Sequence, residues 1–330
     1  MRTLRSSASV VALAAAAAVV VAAAPDSRSG SRAGGTYRVG WEEMAFDNMD
    51  PIGAYPDTFA LFSNLLVRTL VGYDHVAGVA GTKLVPDLAV RVPAPTGGGR
   101  RYTFRLKRGI RFGPPVNREI TSSDIRYAFE RVARPKNGAV YSLDFDVIRG
   151  FDAYRRGGTR SIAGIVTPNA RTIAFDLTRP TGDFLHRLTL PSTAPVPPEV
   201  GRCFEGRPRA YGADLISSGP YMIEGSEAVK LGSCRAMAPM SGISDEKLTL
   251  VRNPRYDART DSPAARESNP DRFVFVAAHA GGARSPVDLV LKVAAGELDD
   301  AVLYASPRVI GRYAASAAKR GRLRDRKSVV

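Results

Sequence analysis

Glu42 and Glu43 stand side by side just after Trp41, and adjacent carboxylates can exchange a proton or hold a cation. Spacing fixes no third carboxylate near them, so a solvated strand edge explains the pair as readily as a site does. Histidine titrates near neutrality and ligates metals, which makes it the next residue to test. His75, His186 and His279 lie far apart, with no i,i+4 pair and no neighbouring cysteine, a pattern that yields no metal centre. No nucleophile-elbow sequence surrounds a serine, and no dinucleotide fingerprint is present. Gly97-Gly-Gly99 lacks the Lys-Ser/Thr pair and following helix of a phosphate loop, and reads as a hairpin turn. The expectation is a protein that is not an enzyme and needs no cofactor or metal.

The two cysteines, Cys203 and Cys234, leave two readings open. They are free buried thiols, or they close a loop that chain entropy values at about 3 to 4 kcal/mol. Their compartment favours the disulfide. Met1-Arg-Thr-Leu-Arg5 is basic, and Val10 to Ala24 is an apolar run of Ala and Val, the pattern of a secretory signal peptide over residues 1–24. That run is shorter than the roughly 20 residues a membrane-spanning helix needs, and no later run reaches that length. The protein is therefore expected to be exported, periplasmic or extracellular, and associated with the cell envelope.

Composition narrows the partners. The 330 residues are 44% hydrophobic and carry a net charge of +15. A basic surface can attract nucleic acid, but Arg91, Arg131, Arg187 and Arg255 are scattered and no recognition motif accompanies them. No nucleic-acid partner is expected.

Residues 25–35, rich in Ser, Gly and Arg, form a disordered linker. Thr36 to Trp41 alternates as a strand, and Phe59 to Tyr73 places apolar residues at helical spacing, predicting a buried helix. Tyr102 to Leu106 alternates as a strand after the glycine turn. Thr121-Ser-Ser-Asp124 is a capping box that opens the helix ending at Ala133, before Pro135. Strands follow at Ile162–Thr167, Thr172–Leu177, Tyr221–Ile223 and Leu248–Val251, with a short helix over Asp183–Leu190. Strands mixed with helices and long crossings indicate an α/β or α+β architecture.

Taken in order, Met49-Asp-Pro51, Leu70-Val-Gly-Tyr-Asp74, Leu84-Val-Pro-Asp-Leu-Ala89, Tyr102 to Phe112, Thr121 to Arg131, Ser218-Gly-Pro-Tyr-Met222, Leu250 to Tyr256 and Ala294-Ala-Gly-Glu-Leu-Asp299 resemble the family 5 bacterial extracellular solute-binding proteins. These are the oligopeptide and dipeptide receptors of ABC importers. Where the family usually has a His-Asp-Gly turn, this chain has Gly113-Pro-Pro-Val-Asn-Arg-Glu119.

The resemblance implies an α/β, two-lobed periplasmic-binding-protein-like fold of the peptide-receptor type (class II), closing on its ligand. It sets residues 36–67 and 192–268 in the core of lobe I, 68–191 in an inserted subdomain and 269–324 at the start of an incomplete lobe II. Asp325-Arg-Lys-Ser-Val-Val330 reads as translated sequencing-adapter sequence on a fragment, rather than a basic tail over Lys319 to Lys327 that docks an anionic partner. The implied partners are a peptide or other small solute and the membrane permease, and the implied state is a monomer.

By the same resemblance, Tyr55, Pro56, Asp57 and Thr58 line the cleft. Trp41 sits beside the first strand's end as a further candidate. Ser218-Gly-Pro-Tyr221 is read as structural, placing a strand at the hinge side of the cleft, with Tyr221 as a candidate ligand wall. Asp57 either pairs a peptide's α-amino group or caps the helix that follows. Two other functions stay open, a receptor of this fold for a nickel chelate, haem or oligosaccharide, and a secreted hydrolase.

Overall fold

The computed structural model describes residues 34–304 except 43, 45, 47, 48, 77, 208, 263–265, 267, 268 and 284, together with the backbone of 19–22 and residue 311. The expected leader is thus described only at Val19–Ala22 and the linker only at its last two residues, and the tail at 325–330 lies outside the described residues.

Eleven strands are described: β1 (Val19–Ala22), β2 (Thr36–Trp41), β3 (Val71–Tyr73), β4 (Leu84–Pro86), β5 (Arg101–Arg105), β6 (Ile165–Asn169), β7 (Thr172–Asp176), β8 (Tyr221–Ile223), β9 (Lys247–Arg252), β10 (Arg272–Ala277) and β11 (Asp300–Leu303). The α-helices are α1 (Pro56–Leu61), α2 (Ser122–Ala133), α3 (Phe151–Arg155), α4 (Phe184–Arg187), α5 (Pro198–Gly201) and α6 (Pro286–Ala295). Among the described residues no helix is long and apolar enough to cross a membrane.

The main sheet has the order β1-β11-β2-β10-β9-β8. β2 is parallel to both neighbours, pairing Thr36 with Arg272 on one side and Val39 with Asp300 on the other. β10 runs into α6, which carries the chain across β2 to β11. Gly40 makes that crossing tight, since a Cβ there would sit 2.6 Å from the Leu289 side chain. β10 and β11, which lie within the stretch expected to open a second lobe, are therefore two strands of the sheet that contains β2. Hydrogen bonding places them with the 36–67 and 192–268 core, a pairing that local motifs cannot reveal.

The second sheet, β5-β7-β6, comes wholly from within 68–191. α2 covers it, and Phe129 meets Phe145 and Phe175 at centroid separations of 5.2 and 5.1 Å. The capping box expected at Thr121 is present, with the Thr121 amide donating to Asp124 Oδ2 at 2.8 Å. Arg131 docks α2 on the main core through a buried pair with Asp50 at 2.7 Å, and its guanidinium lies 4.8 Å from the Tyr211 ring centroid. At the loop that departs from the family's turn, Asn117 takes a left-handed conformation, φ 57°, while Arg111 and Glu119 pair across it. Cys203 and Cys234 form a disulfide with their Cα atoms 5.2 Å apart.

The apolar run at 59–73 does not make one helix. α1 starts at Pro56, a π-helical turn spans Phe62–Leu66, Val67 is extended, and β3 follows. Leu66, Val67, Leu70 and Val71 are all buried, and a run buried on every side reads alike as helix or strand. The break is made at Arg68, an ion inside the core.

Arg68 Nε donates to Asp87 Oδ1 at 2.6 Å, and Arg266 Nη2 donates to Asp87 Oδ2 at 2.7 Å. Arg266 Nη1 reaches Asp261 Oδ2 at 2.8 Å, and the Tyr256 hydroxyl donates to the same oxygen at 2.7 Å. All four charged side chains are 5% exposed or less. Burial alone would raise the Asp87 pKa, but the guanidiniums of Arg266 and Arg68 outweigh it and hold the carboxyl well below the usual range. Removing one member leaves a buried charge under-compensated. Arg68→Met is therefore expected to lower unfolding free energy in urea by about 3–5 kcal/mol. A loss below about 1 kcal/mol, the scale of an exposed pair, would contradict the buried-lattice account.

Candidate functional site at the carboxyl edge of the central strand

In an open α/β sheet, ligands gather outside the carboxyl ends of the parallel strands, where successive connections leave in opposite directions. Here that place is the end of β2, with β10 on one side and β11 on the other. The Glu42 amide donates to the Val302 carbonyl at 2.9 Å, which ties the two strand ends together. Glu42 Oε2 then accepts the Tyr304 amide at 2.6 Å, and the Tyr304 hydroxyl donates to Asp57 Oδ2 at 2.9 Å. Two carboxylates, 15 residues apart in sequence, are thus held on one tyrosine that is distant from both. Oδ1 of Asp57 is buried and accepts no hydrogen bond among the described residues.

The first turn of α1 presents this group. The Tyr55 amide donates to Thr58 Oγ1 at 3.1 Å, and Thr58 Oγ1 donates to the Tyr55 carbonyl at 2.9 Å. Pro56 begins the helix, where its missing N–H is no loss. Tyr55 is left 53% exposed, with its ring at the open edge. The sequence left Asp57 as either a cap or a ligand contact. Thr58 makes the cap, and Asp57 Oδ2 accepts from the Tyr304 hydroxyl instead. Thr58 itself is buried and structural.

Two expected wall residues are buried. Trp41 is 3% exposed, packed against Phe46 and Phe275 at 6.2 and 6.1 Å. Alternation in β2 puts it on the face of Val39, inside the core. Tyr221 is fully buried, its hydroxyl donating to the Pro270 carbonyl at 2.6 Å and its ring 4.9 Å from Phe273. Strand register sets it opposite Arg252, one step beyond Val251, which pairs with Arg272 at the start of β10. It therefore lies at the amino edge of the parallel strands, about 20 Å from their carboxyl ends at 3.3 Å per residue. Neither position follows from local sequence, because Trp41 is covered by what packs on its face of the sheet and Tyr221 is placed by its register against β9.

Tyr304 was missed, since only the parallel pairing of β11 with β2 brings it to Glu42. Glu43 lies outside the described residues. Among the described residues no cluster of three or more His, Cys, Asp or Glu could hold a metal. Beside Asp57, a cavity of about 410 Å3 opens along α1, lined by Pro56, Phe59, Ser63, Tyr73, Asp74 and Arg266.

Residues 83–320 match the family described as bacterial extracellular solute-binding proteins, family 5 Middle. The chain belongs to this family. Its fold is that of the class II, peptide-receptor type of binding protein. The family 5 chain superposes on the clavulanic acid biosynthesis oligopeptide binding protein 2 with a TM-score of 0.64 and 31% identity, covering 86% of this chain and 45% of that one. It also superposes on Haemophilus influenzae OppA, solved in complex with RPPGFSPFR, with a TM-score of 0.63 at 18% identity, covering 86% and 49%. Protein XP55 of Streptomyces lividans is 28% identical over 153 residues, which is 46% of this chain and 24% of that protein. This family 5 chain thus spans about half the length of the solved relatives, or less.

Thr58→Val, which removes the cap while keeping the side chain's shape, is expected to cost about 1 kcal/mol of stability. Asp57→Asn keeps a side-chain acceptor for the Tyr304 hydroxyl and should stay within about 0.5 kcal/mol of the parent. Equal losses in chemical denaturation would mean that Asp57, too, serves the helix.

Proposed function

We propose that this chain supplies the ligand-holding wall of an exported receptor for peptides, which hands its cargo to the membrane permease of an ABC importer. The observation that carries this reading is the pair of carboxylates, Glu42 and Asp57, tethered through Tyr304 beside the exposed ring of Tyr55. A peptide's free α-ammonium is a compact cation with three donors, and a fixed carboxylate with an unused oxygen accepts it by charge-assisted hydrogen bonds. Tyr55 offers an apolar face with a polar tip, which tolerates varied neighbouring side chains. Membership in a solute-binding family and the 31% identity to a protein named for oligopeptide binding support the same reading. Ligand that favours a closed arrangement over an open one would shift the receptor's population, and the permease would sense that shift.

Calorimetric titration with peptides that carry either a free or an acetylated N-terminus tests the reading. Acetylation should weaken binding about tenfold or more, the scale of one hydrogen bond to a charged group. Asp57→Asn should weaken the free peptide similarly and leave the acetylated one unchanged. Equal affinity for both peptides would refute the assignment of Asp57.

A further inference from the structure

Asp74 borders a cavity, and its Oδ1 accepts no hydrogen bond among the described residues. The 410 Å3 cavity follows the side of α1 that carries Pro56, Phe59 and Ser63, and the β3–β4 hairpin closes it through Tyr73 and Asp74. Its volume falls in the range of small-molecule sites. Asp87 and Arg266 at its base are occupied, Asp87 by Arg68 and Arg266, and Arg266 by Asp87 and Asp261. Those four charges sum to zero. Among the described residues Asp74 has no such counterpart. Its Oδ1 is buried and accepts no hydrogen bond among the described residues. A buried oxygen of that kind costs free energy until a donor reaches it.

Aromatic side chains line the same cavity. Phe59 is half-buried and set edge-on to Tyr141 at 5.8 Å. Tyr73 stacks on His186 at 6.0 Å, with its hydroxyl 2.7 Å from His186 Nδ1, so the ring is held in place from behind. A ring face attracts a cation, and a carboxylate pairs a guanidinium through two parallel hydrogen bonds. An ammonium would satisfy the charge but would not use the flat wall as well.

We propose that this cavity receives the guanidinium of an arginine side chain in the bound peptide, with Asp74 as its counter-ion. The inference rests on the reading that a peptide lies along the first turn of α1, because Pro56 borders both places. It makes Asp74 a specificity residue and leaves Asp57 to the N-terminus.

The test uses two peptides with free N-termini that differ only in arginine or citrulline, which keeps the shape and removes the charge. Calorimetry on the unaltered chain should show the arginine peptide binding at least about tenfold tighter. Asp74→Asn should bring it down to the citrulline level without lowering the melting temperature, since its Oδ1 accepts no hydrogen bond among the described residues. Equal binding of both peptides by the unaltered chain would overturn the assignment while leaving the peptide reading intact. Failure of both to bind would instead sink the peptide reading, and arginine amide alone would then decide this one. Its Asp74-dependent binding supports the cavity's role, and its failure to bind overturns it.

Discussion

The rest of the molecule depends on a small ionic lattice inside the core. Arg68, Asp87, Arg266 and Asp261 are drawn from segments far apart in sequence and meet where little water reaches. Taking such ions out of water is expensive, so each must find its counter-charge in good geometry. That requirement stops the helical run at Leu66, turns the backbone extended and starts β3. The Arg68 amide also donates to Ser218 Oγ, and the Thr69 amide to Asp87 Oδ2, so the backbone itself is pinned. α1 is thereby fixed at one end by the lattice and at the other by the Thr58 cap. What lies between is a short rigid element with one side on a cavity and its first turn at the sheet edge.

The sheet adds the second constraint. Parallel pairing of β2 with β10 and β11 brings three strand ends together, and the Glu42 amide locks β2 to β11. Side chains at such an edge are positioned by the sheet and stay open to the outside. Asp57 and Tyr304 meet there because α1 and β11 both end their approach at that edge. The disulfide between Cys203 and Cys234 restrains a loop elsewhere in the chain and takes no part in this arrangement.

Local chemistry was readable from the residues. The alternation of Thr36 to Trp41, the Thr121–Asp124 box, the glycine turn and the β8 strand each follow from a few neighbouring side chains. Family membership was readable too, because it rests on motifs in order. Non-local facts were hidden. Trp41 and Tyr221 look like cleft aromatics in sequence, yet the fold buries both. Tyr304 carries no signal at all, since its role exists only once β11 lies beside β2. Arg68 and Arg266 resemble other arginines of a basic chain until Asp87 and Asp261 are placed between them.

The account's central claim is that ligand binds at the carboxyl edge of β2, beside the first turn of α1. Hydrogen exchange with and without a saturating peptide measures this directly, amide by amide. Protection should rise at Glu42, over Tyr55 to Ala60 and at Tyr304, while Tyr221 to Ile223 at the opposite edge stay unchanged. Protection confined to the opposite edge, or to the loop between Cys203 and Cys234, would contradict the claim.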